Sequence, residues 1–325
     1  SPDIIVKELT RNIFDGASTS DIERALILSS TAFIENDPDY GKVSASLFLQ
    51  RLYKEAMKVS INEDSVYEEY KRTFIEGIKF GVENEYLDKR LLDFDLEKLS
   101  NSLEVDRDNL FQFIGIQTLY ERYLLKHEDI RFELPQSFWM RVAMGVSINE
   151  DDKESKTLEF YNALSKMEFV SSTPTLFHSG TPHPQLSSCY LTTVKDDLSH
   201  IFKCVGDNAQ LSKWSGGLGN DWTNIRATGS RINSTNVDSQ GVIPFLKIAN
   251  DVTVAINRSG KRRGATCAYL ETWHLDIEDF LDLRRNTGDD RRRTHDMNTA
   301  NWIPDLFMKR VIEEKEWTLF SPEEV

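Results

Sequence analysis

Hydrophobic and polar positions along roughly the first half of the chain repeat with the period of a helix. Ile5, Leu9 and Ile13 mark one apolar face, and Gly16 follows them as a stop signal. Ser20 and Glu23 have the spacing of a capping box and predict the start of a second helix. The remaining predicted helices begin at Pro38 and Pro135 or cover 67–79, 108–125 and 156–167. The pattern therefore predicts an all-helical N-terminal region.

After residue 168 the pattern changes to short strand-like runs that alternate with helix-like stretches. The runs are 188–194 and 266–273, and the helix-like stretches are 197–212, 243–256 and 275–285. This alternation is typical of β–α units that build a parallel sheet. One more strand is predicted at 316–321, and because no closing helix follows it, we expect the sheet to be unfinished.

Composition narrows the function classes. The 325 residues carry 39 basic and 53 acidic side chains, and the net charge of -14 argues against binding to nucleic acid or to an anionic membrane. No apolar run approaches the roughly 18 residues that span a bilayer, so we expect a cytoplasmic protein. Cys189, Cys204 and Cys267 are too few and too far apart for a disulfide framework.

Two segments combine turn formers with groups that can hold a phosphate. Residues 171–180 are rich in hydroxyls, and Ser188 and Cys189 follow at the mouth of a strand. Clustered glycines at 216–219 would let a backbone approach a ligand, although their spacing matches neither a Walker loop nor a Rossmann fingerprint. An ordinary polar loop and a cysteine that merely packs in the core remain open for these segments.

Basic residues cluster at two further places. Residues 259–265 place three consecutive cations between glycines, which suits a mobile positive loop or a solvated basic turn. Arg291 to Arg293 are interpreted as solvated surface. His274 and His295 have no partners at ligand spacing, so no metal site is predicted.

These segments, in this order, resemble one family. The segments are Thr173-Pro174 through Ser188-Cys189, the Gly216-Gly217 and Arg226 turns, 259–265, Trp273-His274-Leu275 and Leu319-Phe320-Ser321-Pro322. Their order and spacing resemble the large subunit of class I ribonucleotide reductases over the whole chain. The resemblance implies an α/β fold with an all-α N-terminal region: a helical bundle followed by the first half of a ten-stranded α/β barrel. The implied domains are truncated ATP-cone-like helices (1–57), an N-terminal helical domain (58–168) and the half barrel (169–325).

The resemblance also implies roles for individual residues. Cys189 would be one of two cysteines that reduce the ribose 2′-carbon and become a disulfide, and Thr173, Ser188 and Gly217 would bind the substrate with it. The implied allosteric effector residues are Asp196, Asp197, Leu198, Lys213, Arg226 and Asn233. The implied specificity loop consists of Ser259, Gly260, Lys261, Arg262, Arg263 and Gly264. Thr19 and Lys54 would remain from the cone's nucleotide site.

By the same resemblance, the completed enzyme reduces ribonucleoside diphosphates to their 2′-deoxy products by radical chemistry. The radical cysteine is not found before Val325, so the chain alone is expected to be inert. The expected partners are the C-terminal half of the large subunit, a di-metal small subunit that supplies the radical, thioredoxin or glutaredoxin as reductant, and a second large subunit in a homodimer. No cofactor is expected to bind directly, apart from nucleotide effectors with magnesium as counter-ion.

Two other functions remain open on the sequence. The chain would be a non-catalytic nucleotide-sensing half-subunit if it kept only the effector site. A cobalamin-dependent class II reductase shares the barrel motifs, but the helical region before residue 168 disfavours it. Turnover after addition of the remaining polypeptide, with a di-metal subunit rather than adenosylcobalamin, separates these cases.

Overall fold

The computed structural model describes residues 2–58, 65–214, 216–232, 235–256 and 264–324. The chain divides into two compact units, Ser1–Leu186 and Ser187–Val325. The second unit begins later than residue 169, the predicted start of the α/β part. The predicted boundary at residue 57 within the helical part stays a prediction.

The first unit is helical, as predicted. Its helices are α1 (Pro2–Asn12), α2 (Thr19–Thr31), α3 (Asp39–Met57), α4 (Val66–Glu83), α5 (Leu96–Asn101), α6 (Phe113–Thr118), α7 (Pro135–Ser147), α8 (Lys153–Ser165) and α9 (Thr173–His178). A short antiparallel pair, β1 (Lys126–His127) with β2 (Ile130–Arg131), connects α6 to α7. Short 3-10 helices cover Lys89–Asp93 and Val105–Leu110.

The capping box of α2 lies two residues before the predicted one. The Ser18 hydroxyl accepts the Asp21 N–H, and the Asp21 carboxylate accepts the Ser18 N–H. The prediction that Ser20 and Glu23 form this box was wrong, because both residues already lie inside the helix. Glu23 instead pairs with Lys54 on α3. The hydrogen bonds from Ser18 lower the pKa of Asp21 below its ordinary value.

The core of the first unit surrounds α7. This helix begins at Pro135, as predicted, and its side chains are buried almost all round, including Phe138, Trp139 and Met144. A helix that is buried on every side belongs in the middle of a bundle. Helix α8 packs along α7, and aromatic and aliphatic side chains of α3, α4 and α6 complete the same cluster.

The predicted helix at 108–125 is interrupted. Asp108 lies in a 3-10 helix, α6 follows only at Phe113, and the turn Leu119–Tyr123 has π-helical hydrogen bonds. Asp108 is fixed in the core by hydrogen bonds from Tyr53 and Gln136, so the chain turns before α6 begins.

The second unit is α/β. Its elements are β3 (Cys189–Thr193), α10 (Leu198–Lys213), β4 (Gly217–Asp221), β5 (Thr228–Ile232), β6 (Val237–Gln240), α11 (Ile243–Ile256), β7 (Ala265–Glu271), α12 (Ile277–Leu281), β8 (Asn298–Trp302) and α13 (Asp305–Ile312). The strands β3, β4, β7 and β8 pair in that order and all run parallel, which confirms the predicted parallel sheet. Strands β5 and β6 form a separate antiparallel hairpin. In the described residues the parallel sheet has these four strands rather than the ten of a full barrel.

The predicted strand at 316–321 was wrong. Only Phe320 makes a β-bridge, and its partner is His274. Side-chain contacts, rather than a ladder of backbone hydrogen bonds, attach this segment to the sheet. Phe320 stacks on Trp273 with ring centroids 4.5 Å apart, and the Trp317 indole donates to the Thr272 carbonyl at 3.1 Å.

Candidate functional site

Cys189 lies where three parallel strands begin. Cys189 pairs with Gly217 in register, and Gly217 pairs with Ala265. The Gly217 N–H donates to the Ser188 carbonyl oxygen at 2.7 Å, and the Ser188 hydroxyl lies 3.6 Å from the Cys189 sulfur. Cys189 is exposed. The structure therefore brings the predicted residues Ser188, Cys189 and Gly217 together around one accessible thiol.

The thiol points to the open face of the sheet. Cys189 and Leu191 are exposed on this face, whereas the alternate face of β7, with Ala268, packs under the helices. A β-carbon on Gly219 would lie 2.7 Å from the Leu191 side chain and 3.2 Å from Tyr269. Of the glycines predicted as a ligand-approach turn, Gly217 and Gly219 therefore belong to a central strand, and Gly219 makes room for neighbouring side chains.

The other two cysteines differ in burial. Cys204 is buried in the core on α10, as predicted, and its sulfur lies 3.4 Å from His200 Nδ1. Burial, with a smaller contribution from the charge of Asp207, raises the pKa of the Cys204 thiol. Cys267 was predicted to be a core residue, but it is only partly buried on the open face beside Tyr269. Burial nevertheless raises the pKa of Cys267.

Cys267 is not placed to form a disulfide with Cys189. The two residues are two strands apart and two residues out of register, which separates their α-carbons by about 12 Å. A disulfide needs α-carbons closer than about 7 Å.

Thr173 begins α9 in the first unit. Its hydroxyl lies 3.3 Å from that of Tyr123. At the far end of this short helix, the Arg141 guanidinium donates from Nη1 to the Ser179 carbonyl at 2.7 Å and from Nε to Glu133 at 2.6 Å. The Arg141 side chain is fully buried, and its hydrogen bond to the Ser179 carbonyl anchors the end of the helix that carries Thr173.

Arg141 and Glu133 were missed in the sequence. The sequence signal that could have found Arg141 is its charge inside the otherwise apolar run 138–144, which lies on a helix with no polar face. A buried arginine needs a partner, and Glu133 supplies it.

The predicted effector residues divide between the two ends of α10. Arg226 Nε lies 2.7 Å from the Asp196 carboxylate, and both side chains are about one-quarter exposed, at 27% and 26%. Asp197 caps α10 by accepting the His200 N–H at 2.8 Å, and Leu198 is exposed beside it. Lys213 ends the 16-residue helix, about 24 Å away along its axis. The structure brings Asp196, Asp197 and Arg226 together but leaves Lys213 apart.

The surroundings of Arg226 are polar. Its Nη1 donates to the Arg231 carbonyl at 3.2 Å. Burial alone would raise the pKa of the nearby Glu323, but hydrogen bonds from the Ser230 and Ser321 hydroxyls and the charge of Arg226 outweigh it and lower that pKa. An arginine that is partly exposed and held by one carboxylate can exchange solvent for an anionic ligand.

Several predicted residues fall outside the described ranges. Asn233 and residues 259–263 of the specificity loop are among them. Gly264 is described, and it directly precedes Ala265, the residue that pairs with Gly217. The chain therefore enters the sheet again on β7, two strands away from Cys189.

The residues predicted to remain from a cone lie on α2 and α3. Thr19 is the first residue of α2 after the Ser18 cap, and Lys54 pairs with Glu23. Lys54 is thus already neutralised by a carboxylate.

Among the described residues, no group of three or more His, Cys, Asp or Glu side chains is arranged to hold a metal ion. No helix in the described ranges combines the length and apolar character needed to cross a bilayer.

Two family models match most of the described fold. The all-alpha domain of ribonucleotide reductase matches residues 109–184, and the barrel domain of ribonucleotide reductase matches residues 187–325. The second match begins at Ser187, where the second compact unit begins.

Curated relatives match nearly the whole chain. The ribonucleoside-diphosphate reductase subunit alpha of Chlamydia pneumoniae is 53% identical over 97% of this chain, which corresponds to 30% of that protein. The subunit alpha of Helicobacter pylori is 42% identical over 95% of this chain and 39% of its own length. The ribonucleoside-diphosphate reductase large subunit of Arabidopsis thaliana is 36% identical over 99% of this chain and 39% of its own length. The chain thus spans about a third of the length of these relatives.

Proposed function

The chain belongs to the ribonucleotide reductase family, and from that premise we propose that it supplies part of the substrate and effector sites of a class I ribonucleoside-diphosphate reductase large subunit. The observation that carries the proposal is the exposed Cys189 thiol, which lies beside the backbone of Gly217 and the hydroxyl of Ser188. A non-catalytic sensor is not favoured, because each of the relatives named above is a reductase subunit.

The proposed reaction replaces the ribose 2′-hydroxyl by hydrogen. Cys189 and a second thiol together lose two electrons and two protons and become a disulfide, while the hydroxyl leaves as water and hydrogen enters at the 2′-carbon. Thioredoxin, glutaredoxin or dithiothreitol then restores both thiols by exchange. An exposed thiol is required at this step, because a buried sulfur could reach neither the substrate nor the reductant.

The substrate and the partners follow from the same proposal. Thr173, Ser188 and Gly217 bind the nucleoside diphosphate through hydroxyl and backbone donors. Arg226, with Asp196 and Asp197 beside it, binds a nucleotide effector whose phosphates carry magnesium. A di-metal small subunit supplies the radical, the rest of the large subunit supplies the remaining catalytic groups, and two large subunits form the working dimer.

Reconstitution tests the proposal. The chain is combined with the polypeptide that completes the large subunit, with a radical-generating small subunit and with dithiothreitol, and deoxynucleoside diphosphate is measured. Multiple turnover is expected with the wild-type chain, and Cys189→Ser should abolish it without preventing nucleotide binding. Cys204→Ser serves as the matched control and should retain turnover. If Cys189→Ser turned over at the wild-type rate, Cys189 would not be a reducing thiol.

A further inference from the structure

The turn after β7 holds the backbone just before Arg226. His274 is completely buried, and its Nδ1 accepts the Asp276 N–H at 3.1 Å. Since Nδ1 accepts, Nε2 carries the hydrogen and donates to the Ile225 carbonyl at 2.8 Å. The carbonyl that precedes Arg226 is therefore fixed by a side chain 49 residues further along the chain.

The Asp276 carboxylate holds two other segments at once. It accepts the Thr228 N–H at 3.0 Å, at the first residue of β5, and the Val242 N–H at 3.0 Å, one residue before α11. Asp276 is 4% exposed, so both hydrogen bonds form away from water, where a charged acceptor contributes most. The same carboxylate thus ties the base of the β5–β6 hairpin to the start of α11.

Ser321 completes the attachment from a third segment. Its hydroxyl oxygen accepts the Ala227 N–H at 2.9 Å and lies 2.9 Å from the Ser230 hydroxyl oxygen, and the residue is completely buried. The preceding Phe320 stacks on Trp273, and the Phe320 N–H donates to the Trp273 carbonyl at 3.0 Å. Ser321 and the 273–276 turn are therefore attached to each other and together contact the backbone on both sides of Arg226.

This support fixes the backbone on both sides of Arg226, whose side chain pairs with Asp196 and stays partly exposed. Its neighbours Ile225 and Ala227 are 1% and 0% exposed, whereas the Arg226 side chain is 27% exposed. An arginine loses less conformational freedom on binding an anion when its backbone is already fixed.

We propose that His274, Asp276 and Ser321 are positioning residues of the effector site, because together they hold the backbone that carries Arg226. The inference rests on the proposed function, because it requires that Arg226 bind the phosphates of a nucleotide. It assigns a role to the Trp273-His274-Leu275 and Leu319-Phe320-Ser321 motifs, which otherwise served only as family markers.

The experiment uses the completed large subunit with its small subunit and with deoxythymidine triphosphate as the effector. Calorimetry gives the effector affinity, and the ratio of purine to pyrimidine diphosphate reduction is measured with and without effector. Asp276→Asn should weaken effector binding at least about tenfold, since one acceptor becomes a donor that faces an N–H. At a subsaturating effector concentration it should therefore reduce the effector-induced change in the ratio, while turnover without effector stays near the wild-type value.

Two further variants make the test specific. Ser321→Ala removes the acceptor of the Ala227 N–H, the contact with the Ser230 hydroxyl and the hydrogen bond to Glu323, but it leaves Asp276 in place. It should therefore weaken effector affinity but leave the change in substrate ratio intact at saturation. This variant also carries the test if Asp276→Asn does not fold. Asp238→Asn, exposed on the same hairpin, should leave affinity and ratio unchanged.

The outcomes separate the inference from the proposed function. The positioning role would be overturned if Asp276→Asn kept the wild-type effector affinity and the wild-type shift in the substrate ratio. It would also be overturned if this variant lost all turnover in parallel with a lower melting temperature and showed no selective effect on effector binding. A wild-type enzyme that binds no effector in a manner sensitive to Arg226→Ala would instead overturn the proposed effector site and, with it, this role.

Discussion

Cys189 and Gly217 lie side by side at the start of two parallel strands, and the missing side chain of Gly217 keeps the Cys189 sulfur open. A β-carbon at Gly217 would lie 3.7 Å from the sulfur and 3.3 Å from the Ser188 carbonyl oxygen. The first distance is an ordinary contact and the second is tight. A methyl group at position 217 would therefore fit with a small adjustment and cover one side of the thiol.

We expect Gly217→Ala to slow alkylation of Cys189 by iodoacetamide severalfold in the isolated chain, at a cost of about 1 kcal/mol in the free energy of unfolding. Peptide mass spectrometry at pH 8 follows each cysteine separately. Cys204 should react most slowly, because burial both hides it and raises its pKa. Gly206→Ala, on α10 with no atom near the added methyl group, is the control and should leave the Cys189 rate unchanged. An equal rate in Gly217→Ala would mean that the reagent approaches from another side.

The cap of α2 gives a second prediction. Ser18→Ala should lower the free energy of unfolding by about 1 kcal/mol, because the Asp21 N–H loses its acceptor. Ser20 lies inside the helix, so Ser20→Ala should change the free energy of unfolding little. Urea unfolding of the two variants distinguishes the observed capping box from the predicted one. A larger loss in Ser20→Ala would favour the predicted box.

The local pattern of hydrophobic and polar residues predicted those helices and strands whose own residues favour that conformation. Helix α11 has the predicted bounds, and α7 begins at the predicted proline. Strand β4 was missed, because Gly217 to Asp221 contains no β-branched or aromatic residue. Its strand conformation comes from pairing with β3 and β7 on either side, which no local pattern encodes.

Part of the candidate site was predictable from the sequence, and the rest depends on contacts that form only in the folded chain. The family resemblance pointed to Cys189, Ser188 and Gly217, and the register of the sheet brings them together. The roles proposed for Asp276 and Ser321 were not visible, because their hydrogen bonds reach Thr228 and Ala227 across 48 and 94 residues. Only the folded chain brings such positions into contact.

A buried carboxylate in the first unit predicts a dependence of stability on pH. Asp108 accepts hydrogen bonds from Tyr53 at 2.6 Å, Tyr70 at 3.0 Å and Gln136 at 2.7 Å. Burial raises the pKa of Asp108 from 3.8 to about 6, although these hydrogen bonds act in the opposite direction. The folded chain therefore holds a proton on Asp108 between about pH 4 and pH 6 that the unfolded chain has released.

The sign of the effect follows from that extra proton. The contribution of Asp108 to stability is complete below about pH 4 and is lost as the pH rises through 6. Asp108→Asn removes the titration, so the stability difference between wild type and this variant should shrink by up to about 3 kcal/mol from pH 4 to pH 7. Urea unfolding across this range measures the difference. A difference that grew with pH would mean that the hydrogen bonds outweigh burial and that the carboxylate is charged throughout.

The buried pair of Arg141 and Glu133 carries the last prediction. Glu133→Gln leaves the fully buried guanidinium without a countercharge, so the free energy of unfolding should fall by about 3 kcal/mol or more. Adding Arg141→Met should recover part of this loss, since no charge then remains buried, but it also removes the hydrogen bond to the Ser179 carbonyl. The double variant should therefore regain stability while α9 loosens, and amide hydrogen exchange at 173–179 should rise above that of wild type. Lys156→Gln, which breaks an exposed pair with Glu159, is the control and should change neither stability nor exchange. If the double variant kept the exchange protection of wild type, Arg141 would contribute only to the core, and the position of Thr173 would depend on other contacts.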